Sequence, residues 1–104
     1  MDKCIFCRIA DKKEKADIVF ENDEFVVFKN IKQDQRVHLL MVPKKHIHSV
    51  ADLEDDDAGL MGRLILTARD IAEKEKLSGY KLLFNVGRDG GQIIDHIHLH
   101  LLAD

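Results

Sequence analysis

Two periods organise the apolar residues of this chain. Between Leu53 and Lys76, Leu60, Leu64, Ala68 and Ala72 recur every fourth position, with Met61 and Ile65 beside them. That spacing predicts a helix over about 53–76, and the acidic EDDD near its start suits the positive end of the helix dipole. Elsewhere the apolar residues come in short runs bounded by turn residues, which read as strands. DIVFENDEFVVFKNI (17–31) reads as two strands joined at END. RVHLLMVP (36–43) is a third, stopped by Pro43, the one proline. YKLLFNVG (80–87) is a fourth and QIIDHIHLHLL (92–102) a fifth, joined by an RDGG turn and expected to pair antiparallel. Cys4–Ala10 is expected to form a short first helix, and the charged DKKEKAD that follows a solvated loop. This order of elements predicts an α+β fold, an antiparallel sheet with its helices segregated, in one domain over 1–104.

Composition narrows the function classes. The chain has 104 residues, 45% of them apolar and 34% charged, with a formal charge of -3. That suits a globular protein, and mild acidity argues against nonspecific DNA or RNA binding, which wants a basic face. No apolar run approaches the length of a membrane span, and the N-terminus has no apolar core like that of a signal peptide. The expectation is a cytoplasmic protein, in which its two cysteines are thiols or metal ligands.

The fifth strand carries the chemistry. His96, His98 and His100 are half of the six histidines and occupy every second position. In a strand, residues two apart share a face, roughly 6.5–7 Å apart. The three imidazoles then line one face, while Ile97, Leu99 and Leu101 can enter the core. A polar solvent face is the bland reading. Groups that titrate near neutrality more often mark chemistry. One chemical reading is metal binding through His-x-His; the other is a neutral imidazole acting as nucleophile. NVGRDGGQ (85–92) lies just before the row. Its glycines, Gly91 among them, let backbone N–H groups approach an anion, and Asn85 and Gln92 can donate to phosphate oxygens. Together these features favour a phosphate held against an imidazole.

HIHLHLL resembles the signature of the histidine triad family, and IFCRI, VFENDEFVVFKNI, HLLMVPKKHI and NVGRDGGQ extend the resemblance over nearly the whole chain. It points to the branch of nucleoside phosphoramidate hydrolases and nucleotide-binding proteins. The resemblance implies a five-stranded antiparallel sheet with two helices, dimerising into a continuous sheet. It implies a purine nucleotide substrate attacked at its α-phosphate. His98 would be the nucleophile and form a nucleotidyl-imidazole that water hydrolyses to the nucleoside monophosphate. His100 would bind phosphate oxygens, and His96 and His38 would form a relay that orients the nucleophile. Asn85, Gly91 and Gln92 would meet phosphate and leaving group. Ile5, Phe6, Ile9, Phe28 and Ile31 would line the base pocket, and Asn30 takes the position that usually binds ribose.

Some members of that family carry a Cys-x-x-Cys pair and bind structural zinc. By the same resemblance Cys4, Cys7, His46 and His96 would be its four ligands here, and His48 would simply be exposed. Several positions depart from the family pattern. Ile93 replaces a serine that assists the leaving group, Asn30 replaces an aspartate, Glu14-Lys15 replaces Ile-Pro, and Asp95 stands where an aromatic is common. Relatives also continue beyond the position of Asp104 into a tail that shapes substrate choice. The alternatives are a non-catalytic nucleotide-sensing module, a dinucleoside polyphosphate hydrolase, and a metal enzyme that uses the triad directly.

Overall fold

A computed structural model describes residues 4–32 and 35–104. Five strands form one antiparallel sheet: β1 (Ile18–Glu21), β2 (Phe25–Lys29), β3 (Val37–Pro43), β4 (Lys81–Leu83) and β5 (Leu99–Ala103). Their order is β1-β2-β3-β5-β4, so β3 is central and β4 is an edge. Two α-helices, α1 (Ile5–Ala10) and α2 (Ala58–Lys74), cover opposite faces.

Alternation along β2 and β3 decides which side chains meet which helix. Phe25, Val27, Leu39 and Met41 join Leu99 and Leu101 of β5 against Leu64, Ala68, Ile71 and Ala72 of α2. Val26, Phe28, Leu40 and Val42 point the other way, against Phe6 and Ile9 of α1. A strand buried on both faces reads as a continuous apolar run, as HLLMVP does. Burying each of these larger side chains stabilises the fold by about 1.5–3 kcal/mol.

Three element boundaries differ from the sequence expectation. The α-helix begins at Ala58 rather than near Leu53, after two 3-10 turns at Val50–Asp52 and Asp55–Asp57. The Glu54 N–H donates to Asp57 Oδ2 at 2.9 Å, a reciprocal capping contact that closes the second of these turns just before the helix. The fourth strand stops at Leu83, and the fifth begins only at Leu99. Pro43 explains the late start of the fifth strand. It has no N–H, so β3 ends there, and Met41↔Leu99 is the last β3–β5 pair at that end of β5. His96 and His98 therefore precede the strand, where their imidazoles are free to turn toward different partners. No helix among the described residues is long and apolar enough to cross a membrane.

Candidate active site

His98 is held by the backbone just before it. Its Nδ1 lies 2.7 Å from the His96 carbonyl oxygen. A carbonyl only accepts, so Nδ1 carries the hydrogen and Nε2 keeps the lone pair. The Phe6 ring meets the imidazole edge-on, with centroids 5.1 Å apart. Burial lowers the His98 pKa below the usual histidine value, against the opposing pull of the His96 carbonyl. The result is a neutral imidazole whose Nε2 keeps its lone pair.

The other side of the site is a histidine pair. His38 on β3 and His100 on β5 occupy adjacent strands, and His38 Nε2 sits 2.9 Å from His100 Nδ1. The His100 and His98 rings have centroids 4.9 Å apart. The relay expected of His96 and His38 is thus divided. His38 engages His100, whereas His96 orients the His98 ring through its backbone oxygen.

The glycine loop forms a tight turn beside these histidines. Gly87 and Gly91 adopt positive φ values of 72° and 89°, and a Cβ on Gly91 would come within 3.3 Å of Asn85 Nδ2. Asn85 closes the loop by donating to the Gly90 carbonyl at 2.9 Å. Gln92 supports it from behind and is only 2% exposed. Its amide nitrogen donates to the His48 and Ile94 carbonyls at 2.7 and 2.9 Å, and its oxygen accepts from the Gly87 N–H at 2.9 Å. Contact between this amide and a phosphate therefore requires it to release one of these bonds. Ile93 follows it at 83% exposure. His48 is exposed as expected, but it also meets Asp95 at 3.2 Å, and Arg88 pairs with the same carboxylate at 2.7 Å.

Ile5, Phe6, Ile9, Phe28, Asn30 and Ile31 line one cleft of ≈ 530 Å³. Glu14 and Lys15 form part of its wall, with Ala16, Leu40 and Ile94. The cleft has apolar side chains at its base and charged ones at its rim. This distribution suits a flat heteroaromatic group attached to a polar one.

The N-terminal helix brings the cysteines to the same region. Cys4 caps α1, its sulfur 3.5 Å from the Cys7 N–H. Cys4 Sγ lies 3.3 Å from His96 Nδ1, and Cys7 Sγ lies 3.3 Å from His46 Nδ1 and 3.6 Å from His96 Nδ1. All four ligand atoms fall within 4.8 Å of one another. His96 Nε2 is 2.8 Å from the Pro43 carbonyl, so that nitrogen carries the hydrogen and Nδ1 turns its lone pair toward the sulfurs. Burial holds the His96 pKa down to about 4, which keeps the ring neutral. Burial and then the adjacent Cys4 push the Cys7 thiol up to about 11, so a thiolate here needs a cation beside it. Cys4, Cys7, His46 and His96 could hold a metal ion.

Comparison with known proteins agrees with this geometry. A family model described as scavenger mRNA decapping enzyme C-term binding matches residues 3–104. Protein HitA of Neisseria gonorrhoeae is 41% identical, over 99% of this chain and 97% of its own. A HIT family hydrolase from Legionella pneumophila superimposes with a TM-score of 0.95 at 44% identity, over 97% of this chain and 92% of that one. The chain belongs to the histidine triad family. A histidine triad protein from Clostridium difficile is also similar, with a TM-score of 0.95 at 34% identity, over 100% of this chain and 91% of that one. Some histidine triad features here escape a reading of side chains. The carbonyls of Pro43 and His96 decide which imidazole nitrogens carry hydrogens, and backbone oxygens leave no mark in the sequence. The Arg88–Asp95–His48 group was equally hidden, although an acidic residue in place of an aromatic was a signal that a basic partner would be near.

Proposed function

We propose that this chain is a nucleotide-binding hydrolase that acts at the α-phosphate of purine nucleotides, such as nucleoside 5′-phosphoramidates. The observation that carries this reading is the lone pair of His98 Nε2, set by the His96 carbonyl at 2.7 Å, beside a cleft with an apolar base. Membership of the histidine triad family, and the hydrolase similar in sequence and shape, support the same class.

In this reading the base enters between Phe6, Ile9 and Phe28, with Ile5 and Ile31 at its edge and Asn30 near the ribose. The α-phosphate lies between the His98–His100 rings and the Asn85–Gly91 loop. His98 Nε2 attacks phosphorus, and the bond from phosphorus to the leaving group breaks. The departing amine takes a proton from solvent. The nucleotidyl-imidazole is cationic, and its Nδ1–H already points at the His96 carbonyl, which stabilises that charge. Water then attacks phosphorus and the P–Nε2 bond breaks. A nucleoside monophosphate leaves, the water proton passes to solvent, and neutral His98 is restored. Splitting one displacement into two is the advantage of the covalent route. His100 binds the phosphate oxygens, while His38 holds His100.

The metal in this reading is zinc. Tetrahedral zinc, with bonds of about 2.0–2.3 Å, separates its ligand atoms by roughly 3.3–3.8 Å, and three of the four sulfur–nitrogen pairs, at 3.3, 3.3 and 3.6 Å, fall in that range. Four protein ligands would leave no open position, so an ion held by Cys4, Cys7, His46 and His96 would be structural and would clamp α1 onto the segment that carries His96. The assembly is a homodimer joined along β4.

The test is release of AMP from adenosine 5′-phosphoramidate. Turnover is expected in the native protein and a loss of roughly 10⁴-fold or more in His98→Ala. Binding of AMP without turnover would favour a nucleotide-sensing module instead. That second reading has one feature in its favour, the exposed Ile93 where a hydroxyl would assist the leaving group.

A further inference from the structure

Glu14 puts an acceptor on the wall of a cleft whose base is apolar. It lies in the segment that leads from α1 to β1. The Lys13 N–H donates back to the Arg8 carbonyl at 2.8 Å, and this bend returns Glu14 to the side of α1. There Arg8 Nε and Nη2 donate to Glu14 Oε2 at 3.1 and 2.8 Å. An ionised carboxylate only accepts, and it has about four lone-pair sites. Arg8 takes two of them, both on one oxygen, and leaves the two on Oε1. Asp17 also lines the cleft, but its side chain is 68% exposed against 38% for Glu14, and Lys29 lies 3.5 Å from it. Water therefore competes less for Glu14. The two purines offer such an oxygen different edges. Guanine carries two donors side by side, N1–H and the N2 amino group. Adenine has one, its N6 amino group, and beside it the N1 lone pair, which a carboxylate repels. Guanine O6 also suits a donor, and Lys15 stands next to Glu14 on the same wall.

We propose that Glu14 is a specificity-determining residue which makes guanine the preferred base of this cleft, with Arg8 holding its carboxylate in place. The two lone pairs left on Oε1 match the two donors of guanine, and adenine can use only one of them. This inference rests on the reading that a nucleotide base enters between Phe6, Ile9 and Phe28. It does not depend on the covalent step at His98.

The experiment is isothermal titration of the purified protein with guanosine, inosine and adenosine 5′-monophosphates. Native protein is expected to bind the guanosine nucleotide about tenfold more tightly than the adenosine one, the scale of one well-placed paired contact. The inosine nucleotide keeps N1–H and O6 but lacks the N2 amino group, so its affinity should fall between the two. Equal affinity for guanosine and adenosine nucleotides overturns the proposal without any variant. Inosine bound as tightly as guanosine would remove the paired contact and overturn it as well. Glu14→Gln keeps an oxygen for Arg8 and puts an NH2 group, a donor that opposes N1–H, in place of the free oxygen. It is expected to bring the guanosine nucleotide to within about twofold of the adenosine one. A full preference surviving in Glu14→Gln would place its origin elsewhere and overturn the proposal. Turnover of the two nucleoside 5′-phosphoramidates is followed separately. Nucleotides bound with the expected preference but no turnover would fail the hydrolase reading and leave the guanine preference standing. If none of the three nucleotides binds, the base-pocket reading fails and this proposal falls with it.

Discussion

His96 acts through three atoms that face three ways. Nε2 donates to the Pro43 carbonyl, Nδ1 faces the two sulfurs, and the backbone oxygen receives the hydrogen of His98. The residue therefore joins the candidate metal site to the proposed nucleophile. This joint makes metal loss visible at two places. Purified protein is expected to hold one zinc per chain by elemental analysis, and Cys7→Ser to hold far less. Its thermal midpoint should fall by about 10 °C or more, because the clamp between α1 and the sheet is part of the folding free energy. Full zinc content in Cys7→Ser would remove that residue from the ligand set. Triad variants at His98 and His100 should keep the metal, which separates this structural site from a metal enzyme that uses the triad directly.

At the scale of elements, ion pairs tie the ends that the strands leave loose. Glu21, the last residue of β1, contacts Lys12 beyond α1 and Lys44 beyond β3. Hydrogen bonds from Lys12 and then Lys44 hold its carboxyl down to about 2, against an ordinary value of 4.5. A folded-state pKa below the unfolded one adds stability that is fully present above about 4.5 and is lost as pH falls toward about 2. The thermal midpoint of Glu21→Gln should lie below that of the native protein near neutral pH. The two should converge across that acid range, and a gap constant with pH would exclude the linkage. Salt should narrow the difference, since these groups are exposed. The residues of such ties were visible in the sequence, but their partners were not, because Lys12, Glu21 and Lys44 meet only once the sheet has formed. The same distinction runs through the whole chain. Short apolar runs revealed the strands and period four revealed α2, since burial on both faces imposes the first and burial of one face the second. The start of β5 was missed, because alternation continues through His96 and His98 after their strand partner has ended at Pro43. Of the site, the triad and the cysteine pair were legible as side-chain types at fixed spacing, whereas the apolar cleft residues were given only by the family resemblance. The internal engagement of Gln92 was not legible, since it is made with three backbone groups.

For the molecule as a whole, the open question lies at the sheet edge. β4 pairs with β5 on one side only, and every residue of β4 is exposed. Leu82, Leu83, Tyr80 and Val86 leave 37–44% of their surface to solvent around this edge, and Ile65 and Leu66 of α2 are similarly exposed. A bare apolar edge strand is a template for another strand. The most economical partner is β4 of a second copy, because a two-fold axis pairs a strand with itself antiparallel and closes the assembly at two chains. Light scattering should then give twice the 11.9 kDa mass of one chain. Leu83→Glu brings two like charges into the joint near its axis and should yield monomers at micromolar concentration. Leu83 opposes His100 across the β4–β5 pair, so loss of the joint also loosens the strand that carries His100. A monomeric Leu83→Glu protein is therefore expected to bind as much zinc as the native protein, because Cys4, Cys7, His46 and His96 lie at α1 and near Pro43, and to lose turnover. A native monomer by light scattering would leave this edge for a different partner.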